Sequence, residues 1–262
     1  MVALTQDRLL DGRVVIDQPT DGLRATLDTV MIAATVTPEA NATIVELGAG
    51  SGAALACVLH RRRDLTALAV EAEPELVALV GANCARAGGS VLALAARVEA
   101  LPLRHGIADW VFTNPPFHTP HSRRPPHPQR RRAMQEDTPL ACWIVAAAHL
   151  LRPGGRCSLI HRADRLPEVL AALTPRFGAI TVLPLWPRAN QPARRVLIGA
   201  TLGSGAPAAL LPGLVLHEAD GRFTAEADAV LRGGATLPLT NPAVADRLQS
   251  RSVVLDSRVG MP

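Results

Sequence analysis

The chain has 262 residues, 48% hydrophobic and 19% charged, so it can bury a sizeable core and does not belong to the intrinsically disordered class. All 27 basic residues are arginines, and a net charge of +4 with a pI near 9.4 favours a polyanionic partner. The apolar segments are interrupted well before about 18 residues and no basic-then-apolar leader opens the chain, so we expect a cytoplasmic protein without a membrane span. The four cysteines form no CxxC pair and lie in apolar stretches, which favours buried side chains over disulfides or a metal site.

The predicted elements begin with a helix at Thr26–Val36, and from residue 43 onward short aliphatic runs alternate with longer amphipathic ones. This alternation is typical of an α/β fold with helices on both faces of a mostly parallel sheet. Seven strands are predicted, at Thr43–Leu47, Thr66–Glu71, Val91–Ala95, Ala108–Thr113, Arg156–Ile160, Ala179–Leu185 and Arg194–Thr201. The helices predicted between them are Gly52–Arg62, Pro74–Ala87, Pro139–Leu151 and Asp164–Leu173, and residues 151–155 predict a helix stop followed by a turn.

A glycine-rich turn joins the first strand of the sheet to the next helix, and its candidate ligand-binding residues are Glu46, Gly48, Ala49, Gly50 and Gly52. Glycines let a ligand approach the backbone, and Glu71 at the end of the second strand can accept hydrogen bonds from ribose hydroxyls. We therefore expect a nucleoside pocket at the carboxyl edge of the sheet. The same glycines, with Ala53, also satisfy the pattern of a nicotinamide-dependent dehydrogenase, which stays an alternative on this signal alone.

The tetrapeptide Asn114-Pro115-Pro116-Phe117 follows the fourth strand and matches the N/D-P-P-F/Y/W pattern. An exocyclic amine on an aromatic or amide carbon is a poor nucleophile because its lone pair is delocalised. The Asn114 side-chain oxygen and the Pro115 carbonyl can each accept one N–H and direct the lone pair at a methyl donor, while the two prolines keep these acceptors rigid. Phe117 offers a flat face for stacking of the target base. These four residues are the candidate catalytic residues.

A basic segment, His118–Arg132, comes directly after this tetrapeptide. Its Arg and His side chains stand among Pro and Gln, with no acid. Arginines at the mouth of the pocket can hold phosphates without reading bases. The candidate RNA-binding residues are His118, Arg123, Arg124, Arg130, Arg131 and Arg132. The histidines lack nearby Cys or acidic ligands, so we expect no metal site.

Several motifs together resemble the bacterial tRNA adenine-37 N6-methyltransferase family that modifies a valine tRNA. They are the run from Gln18 to Arg24, then VELGAGSG, TNPPFH, LLRPGG, HRADRL and LPLWPR. The resemblance covers roughly Leu9 to Arg232. It implies a Rossmann-like class I methyltransferase that uses S-adenosyl-L-methionine, acts as a monomer and methylates RNA, with tRNA as the expected substrate. Glu46, two residues before the first glycine, and a helix ahead of the first sheet strand also resemble class I methyltransferases.

The resemblance also implies further cofactor contacts. Gln18, Arg24, Thr26 and Asp28 are expected near the cofactor or the substrate entrance. Further candidate cofactor-binding residues are Ala72, Arg97, Val98 and Asn114. Related sequences often carry an acid after the third strand, where it contacts the cofactor adenine. The matching place here is Arg97-Val98, so either Glu99 or the backbone accepts the adenine amine, or the affinity for the cofactor is reduced.

The organisation expected from these motifs has four parts. Residues 1–42 cover the cofactor and substrate, residues 43–203 form the methyltransferase core, residues 204–240 form an extension packed on it, and residues 241–262 form a flexible tail. The extension is expected to hold a strand at Leu214–His217 and a helix at Thr224–Arg232. Alternatives to adenine N6-methylation are guanine N2-methylation of rRNA, methylation of a protein glutamine amide, and a catalytically silent subunit that binds the cofactor or RNA.

Overall fold

The computed structural model describes residues 3–21, 24–116 and 138–241. Its strands within these residues are β1 (Leu4–Leu9), β2 (Val14–Pro19), β3 (Thr43–Leu47), β4 (Thr66–Glu71), β5 (Val91–Ala95), β6 (Ala108–Thr113), β7 (Leu151–Arg162), β8 (Phe177–Arg188), β9 (Arg195–Leu202), β10 (Ala209–Leu210) and β11 (Leu214–His217). Its α-helices there are α1 (Leu27–Thr35), α2 (Ala53–Arg61), α3 (Pro74–Arg86), α4 (Leu140–Leu150), α5 (Leu166–Leu173) and α6 (Ala225–Leu231). Short 3-10 turns lie at Val98–Ala100 and Ala163–Arg165.

The main sheet has the order β5-β4-β3-β6-β7-β9-β8. Neighbouring strands run parallel except at β9, which is antiparallel to both β7 and β8. These seven strands confirm the predicted α/β fold with a mostly parallel sheet. The short strands β10 and β11 add to the outer edge of β8, so the sheet has nine strands within the described residues.

Two apolar cores lie on opposite faces of this sheet. Side chains alternate between the faces of a strand, so Phe112 joins one core and its neighbour Val111 joins the other. Helices α1, α2, α3 and α6 contribute to the first core, and helices α4 and α5 to the second. Helices therefore cover both faces, as predicted. No helix among the described residues is long and apolar enough to cross a membrane.

A β-hairpin precedes α1 and was not predicted. Strands β1 and β2 pair antiparallel, and the connecting residues Leu10, Asp11 and Gly12 all have positive φ. The hairpin packs against α3, where the Asn83 amide brackets the backbone of Asp17: it accepts from its N–H and donates to its C=O, both at 2.8 Å. The segment before the first helix is therefore attached to the core.

The turn predicted at residues 151–155 is wrong, because the chain is already within β7 there. Ala108 of β6 pairs with Leu151, and the pairing resumes at Trp110 with Arg156. The register shift between these pairs accommodates the extra residues of β7, among them Gly154 with φ of 78°. The Pro-Gly-Gly run is thus an irregular section of β7, and the strand pairs with β6 both before and after it.

Candidate active site

The glycine-rich loop between β3 and α2 has the geometry that only glycine tolerates. Gly48, Gly50 and Gly52 have φ of 70°, 55° and 79°. A Cβ on Gly48 would lie 2.7 Å from Cη2 of Trp143, whereas a Cβ on Gly50 would meet nothing within 4 Å. Gly48 is therefore packed against protein, while Gly50 borders open space where a ligand can approach the backbone.

Glu71, the last residue of β4, lies against this loop. One carboxylate oxygen accepts from the Gly50 N–H at 2.7 Å, and the other accepts from the Glu73 N–H at 3.0 Å. The adjacent Ala72 is exposed. An ionised carboxylate has about four lone-pair sites, so Glu71 retains capacity to accept ribose hydroxyls while it holds the loop.

Glu46 is buried beneath the loop, with 4% of its surface exposed. Its carboxylate accepts from the Leu55 N–H in the first turn of α2 at 3.1 Å. Burial raises the pKa of Glu46 well above its ordinary value, and the negative charge of Glu71 raises it further. A cationic ligand beside Glu46 and Glu71 would offset the repulsion between their negative charges and the cost of burying Glu46. A nucleoside that carries sulfonium and ammonium groups is such a ligand.

Asn114 lies beside the glycine-rich loop because of the register in which β3 and β6 pair. Leu47 of β3 pairs with Thr113 of β6, and the Thr113 hydroxyl donates to the Leu47 carbonyl at 2.8 Å. Gly48 and Asn114 are the next residues of the two strands. The side-chain oxygen of Asn114 is buried and has no hydrogen-bond partner, a state that is rare for a buried acceptor.

The rest of the predicted catalytic and RNA-binding set is only partly described. Pro115 is buried and Pro116 is half-buried, both directly after Asn114. Phe117 and the predicted RNA-binding residues fall in residues 117–137, which lie outside the described part of the chain. Their roles stay predictions.

The N-terminal candidates Gln18 and Arg24 meet at Asp7 of the hairpin. The Gln18 amide is buried, donates to the Asp7 carboxylate and accepts from the Ala25 N–H at 2.9 Å. Arg24 pairs with the same Asp7 carboxylate. In this structure the two side chains fasten the hairpin to the segment that leads into α1, and their predicted cofactor contact stays untested.

Asp28, the third N-terminal candidate, forms an ion pair with Arg195 at the start of β9, with 2.8 Å between Oδ2 and Nε. The Asp28 side chain is 13% exposed, so this pair is largely shielded from water. It fixes the first turn of α1 to the main sheet. The structure thus gives Asp28 a positioning role, and its contact with a ligand stays a prediction.

Arg97 and its surroundings form a small polar cluster after β5. The Arg97 guanidinium donates to the Glu99 carboxylate at 2.9 Å and to the Thr138 hydroxyl at 3.1 Å. Thr138 also donates to Glu99. The Glu99 carboxylate is therefore engaged by two donors, and Val98 between them is buried in the same apolar core as Trp143.

Sequence reasoning missed three residues of this region: Asp7, Arg195 and Trp143. Asp7 and Arg195 come from elements distant in sequence, so their pairing with Gln18 and Asp28 has no local signal. Trp143 lies in the first turns of an apolar helix and has the pattern of an ordinary core residue. Among the residues that the structure describes, no group of three or more His, Cys, Asp or Glu is arranged to hold a metal ion.

Comparison with known proteins identifies the family of this chain. The family model of the methyltransferase small domain matches residues 24–184. A tRNA1(Val) (adenine(37)-N6)-methyltransferase of Porphyromonas gingivalis is 29% identical over 180 residues, covering 62% of this chain and 68% of that protein. A release factor glutamine methyltransferase of Mycolicibacterium smegmatis is 34% identical over 144 residues, covering 51% of this chain and half of that protein.

Among solved structures, a predicted O-methyltransferase of Agrobacterium tumefaciens aligns with a TM-score of 0.65 at 25% identity, covering 80% of this chain and 98% of that one. The family model spans more than half of the chain, and the TM-score of 0.65 shows that the chain shares the fold of this O-methyltransferase. The dehydrogenase alternative is therefore excluded. The chain belongs to the methyltransferase small domain family and is an S-adenosyl-L-methionine-dependent methyltransferase.

Proposed function

We propose that this methyltransferase methylates the exocyclic N6 amine of an adenine in tRNA. The observation that carries the proposal is the buried, unpartnered side-chain oxygen of Asn114, next to the glycine-rich loop. Leaving a buried acceptor without a partner costs about 1–3 kcal/mol. An amine N–H of the substrate is the partner that this acceptor lacks.

The cofactor side of the reaction is supported by the residues around the loop. S-adenosyl-L-methionine supplies an electrophilic methyl group on a positively charged sulfur. Glu71 accepts from the ribose hydroxyls, Glu46 and Glu71 lower the free energy of the cationic end, and the open space at Gly50 admits the ligand to the backbone. These residues hold the donor at the carboxyl ends of β3 and β4.

On the acceptor side, Asn114 and Pro115 orient the amine. The Asn114 side-chain oxygen and the Pro115 carbonyl each accept one N–H, which turns the nitrogen lone pair out of the ring plane and toward the methyl group. The two consecutive prolines restrict the backbone, so the acceptors need no reorganisation during the reaction. Alignment of two bound reactants then accounts for a large part of the rate gain.

RNA as the substrate is supported by the name of the Porphyromonas gingivalis relative and by the pI near 9.4. The arginines expected to hold phosphates lie in the segment outside the described residues, and their role is part of this proposal. A protein glutamine amide is the second candidate, because the Mycolicibacterium smegmatis relative is a release factor glutamine methyltransferase. An amide nitrogen presents the same pair of N–H groups to Asn114 and Pro115.

The proposal is tested by supplying methyl-labelled cofactor and enzyme to total tRNA, total rRNA and a protein extract that lack the modification. We expect label in tRNA and its recovery as N6-methyladenosine after digestion to nucleosides. Label recovered as N2-methylguanosine in rRNA, or as methylglutamine in protein, contradicts the proposal. Each outcome identifies the polymer and the atom together.

A further inference from the structure

The three tryptophans of the chain differ in how their indole N–H groups are satisfied. Trp110 donates to the Ser158 hydroxyl at 3.0 Å, and Trp186 donates to the Pro212 carbonyl at 3.2 Å. Trp143 is only 8% exposed, yet its N–H is buried without any hydrogen-bond partner. A buried indole N–H normally finds an acceptor, so Trp143 is the exception that needs an explanation.

This unpartnered donor has one counterpart among the described residues. Buried side-chain polar atoms without a hydrogen bond also occur in Asp109, Asn114 and His161. Asp109 forms an ion pair with Arg152, and His161 has interaction partners nearby. Within the described ranges, only the Asn114 oxygen and the Trp143 N–H therefore remain with neither a hydrogen bond nor an ion pair.

Both unpartnered groups belong to residues that flank Gly48. Asn114 follows the strand residue that pairs with Leu47, and a Cβ on Gly48 would lie 2.7 Å from Cη2, in the six-membered part of the Trp143 indole. One group is an acceptor and the other is a donor. The indole is rigid, so its N–H lies within the width of one ring system from Gly48, and this proximity points to one ligand at the proposed methyl-transfer site that satisfies both groups.

We propose that the Trp143 indole N–H donates to the acceptor atom next to the reacting amine of the substrate, while Asn114 accepts from the amine itself. This inference rests on the proposed function. In adenine the N6 amine lies between two ring nitrogens, N1 and N7, and both are acceptors. Trp143 is then a specificity-determining residue, because an amine without a neighbouring acceptor leaves its N–H unsatisfied in a buried site.

The first experiment compares Trp143→Phe with Trp186→Phe, which removes an indole from a position away from the loop. Phe lacks the donor and also the Cη2 and Cζ3 atoms that pack on Gly48, so the cofactor Kd is measured with kcat/KM to separate loss of the donor from a displaced loop. We expect Trp143→Phe to lower kcat/KM for methyl transfer by about 10- to 100-fold with an unchanged Kd for S-adenosyl-L-methionine, and Trp186→Phe to match the unsubstituted enzyme. Full activity of Trp143→Phe, or a cofactor Kd that weakens by the same factor as kcat/KM, overturns the proposal.

The second experiment changes the substrate and compares the effect with that of the variant. The unsubstituted enzyme is given RNA in which the acceptor adenosine is replaced by 1-deazaadenosine or by 7-deazaadenosine. We expect one of the two analogues to lose activity by a factor comparable to that of Trp143→Phe, and the variant to lose nothing further on that analogue. Full activity on both analogues, or losses that multiply when variant and analogue are combined, overturns the role of Trp143.

Failure of this inference is distinguishable from failure of the proposed function. Methylation of a guanine or a glutamine contradicts adenine as the target, and Trp143→Phe is then assayed on that acceptor. A loss of kcat/KM without a change in cofactor affinity supports Trp143 as a substrate contact on any acceptor, and no loss rejects it.

Discussion

The carboxylate of Glu71 accepts a 2.7 Å hydrogen bond from the backbone N–H of Gly50, so the acid at the end of β4 holds the loop that follows β3. The same carboxylate accepts from the Glu73 N–H. Glu71 therefore has two tasks in the account proposed here: it keeps the loop in place, and it accepts ribose hydroxyls with its remaining lone pairs. A charged acceptor forms stronger hydrogen bonds than a neutral one, and this difference is measurable.

Substituting Glu71→Gln is expected to weaken the binding of S-adenosyl-L-methionine by about 10- to 100-fold, because the amide offers one acceptor oxygen in place of two charged ones. Isothermal titration calorimetry measures this change. Glu75→Gln is the matched control, since Glu75 is exposed in the first turn of α3. Equal affinity of the Glu71→Gln and Glu75→Gln enzymes would remove Glu71 from the cofactor site.

Gly48→Ala and Gly50→Ala are expected to lower the free energy of unfolding by different amounts, although both replace a loop glycine by alanine. Gly48→Ala and Gly50→Ala each force an alanine into positive φ, which costs about 1–2 kcal/mol. Only Gly48→Ala also drives a methyl group into the Trp143 ring, and overpacking adds about 1–3 kcal/mol. Chemical denaturation is expected to show the larger loss of unfolding free energy for Gly48→Ala.

Cofactor binding gives the complementary comparison for the same two variants. The methyl group of Gly50→Ala fills the open space beside the loop. This variant is therefore expected to lose more cofactor affinity than its small loss of unfolding free energy alone would cause. If Gly50→Ala bound the cofactor as well as the unsubstituted enzyme, that space would not be where the ligand approaches.

The raised pKa of Glu46 predicts that the stability of the cofactor-free enzyme depends on pH. Its folded-state pKa is raised above the ordinary value of 4.5 by burial and by Glu71. The folded protein therefore holds this proton to higher pH than the unfolded chain, and the stability contributed by Glu46 falls as the pH rises from about 4.5 through the folded-state pKa. Glu46→Gln keeps an acceptor for the Leu55 N–H and removes the buried charge.

Thermal unfolding across this pH range is the corresponding measurement. Glu46→Gln is expected to have a higher Tm than the unsubstituted enzyme at about pH 8, with the difference shrinking toward pH 4.5. The same variant should bind the cationic cofactor more weakly. A Tm difference that is constant with pH would show that Glu46 carries no raised pKa in the folded state.

Much of the fold follows from local sequence patterns. The predicted bounds of β3, β4, β5 and β6 coincide with those observed, because each strand is a short, mostly aliphatic run. Three of these runs also have a clear end signal, which is a glycine after β3, an acid at the end of β4 and Asn-Pro after β6. Asp11-Gly12, between the alternating residues of β1 and β2, is a strong hairpin signal that was overlooked. Without the hairpin, the partner of Gln18 could not be predicted, because Asp7 reaches it only across the paired strands.

The sequence predicts the site residues at the ends of the strands, but not the side chains that pack around them. Glu46, Glu71 and Asn114 lie at or next to the carboxyl ends of the adjacent parallel strands β3, β4 and β6, and such residues meet at one edge of a sheet. The contact of Trp143 with Gly48 depends on how α4 packs across the sheet, which no local pattern records. At the Pro-Gly-Gly run of β7 a local pattern was instead misleading. Its residues are typical of a turn, but the chain pairs with β6 both before the run and after it, so the run lies within a strand.

The most direct test of the central claim is the activity of Asn114→Ala beside its cofactor affinity. Because the Asn114 oxygen is buried without a partner, we expect this variant to lose methyl transfer by at least about 100-fold while its Kd for S-adenosyl-L-methionine stays near that of the unsubstituted enzyme. Gln191→Ala, which removes an exposed amide, should retain full activity. Undiminished methyl transfer by Asn114→Ala would show that this side chain does not orient the acceptor amine.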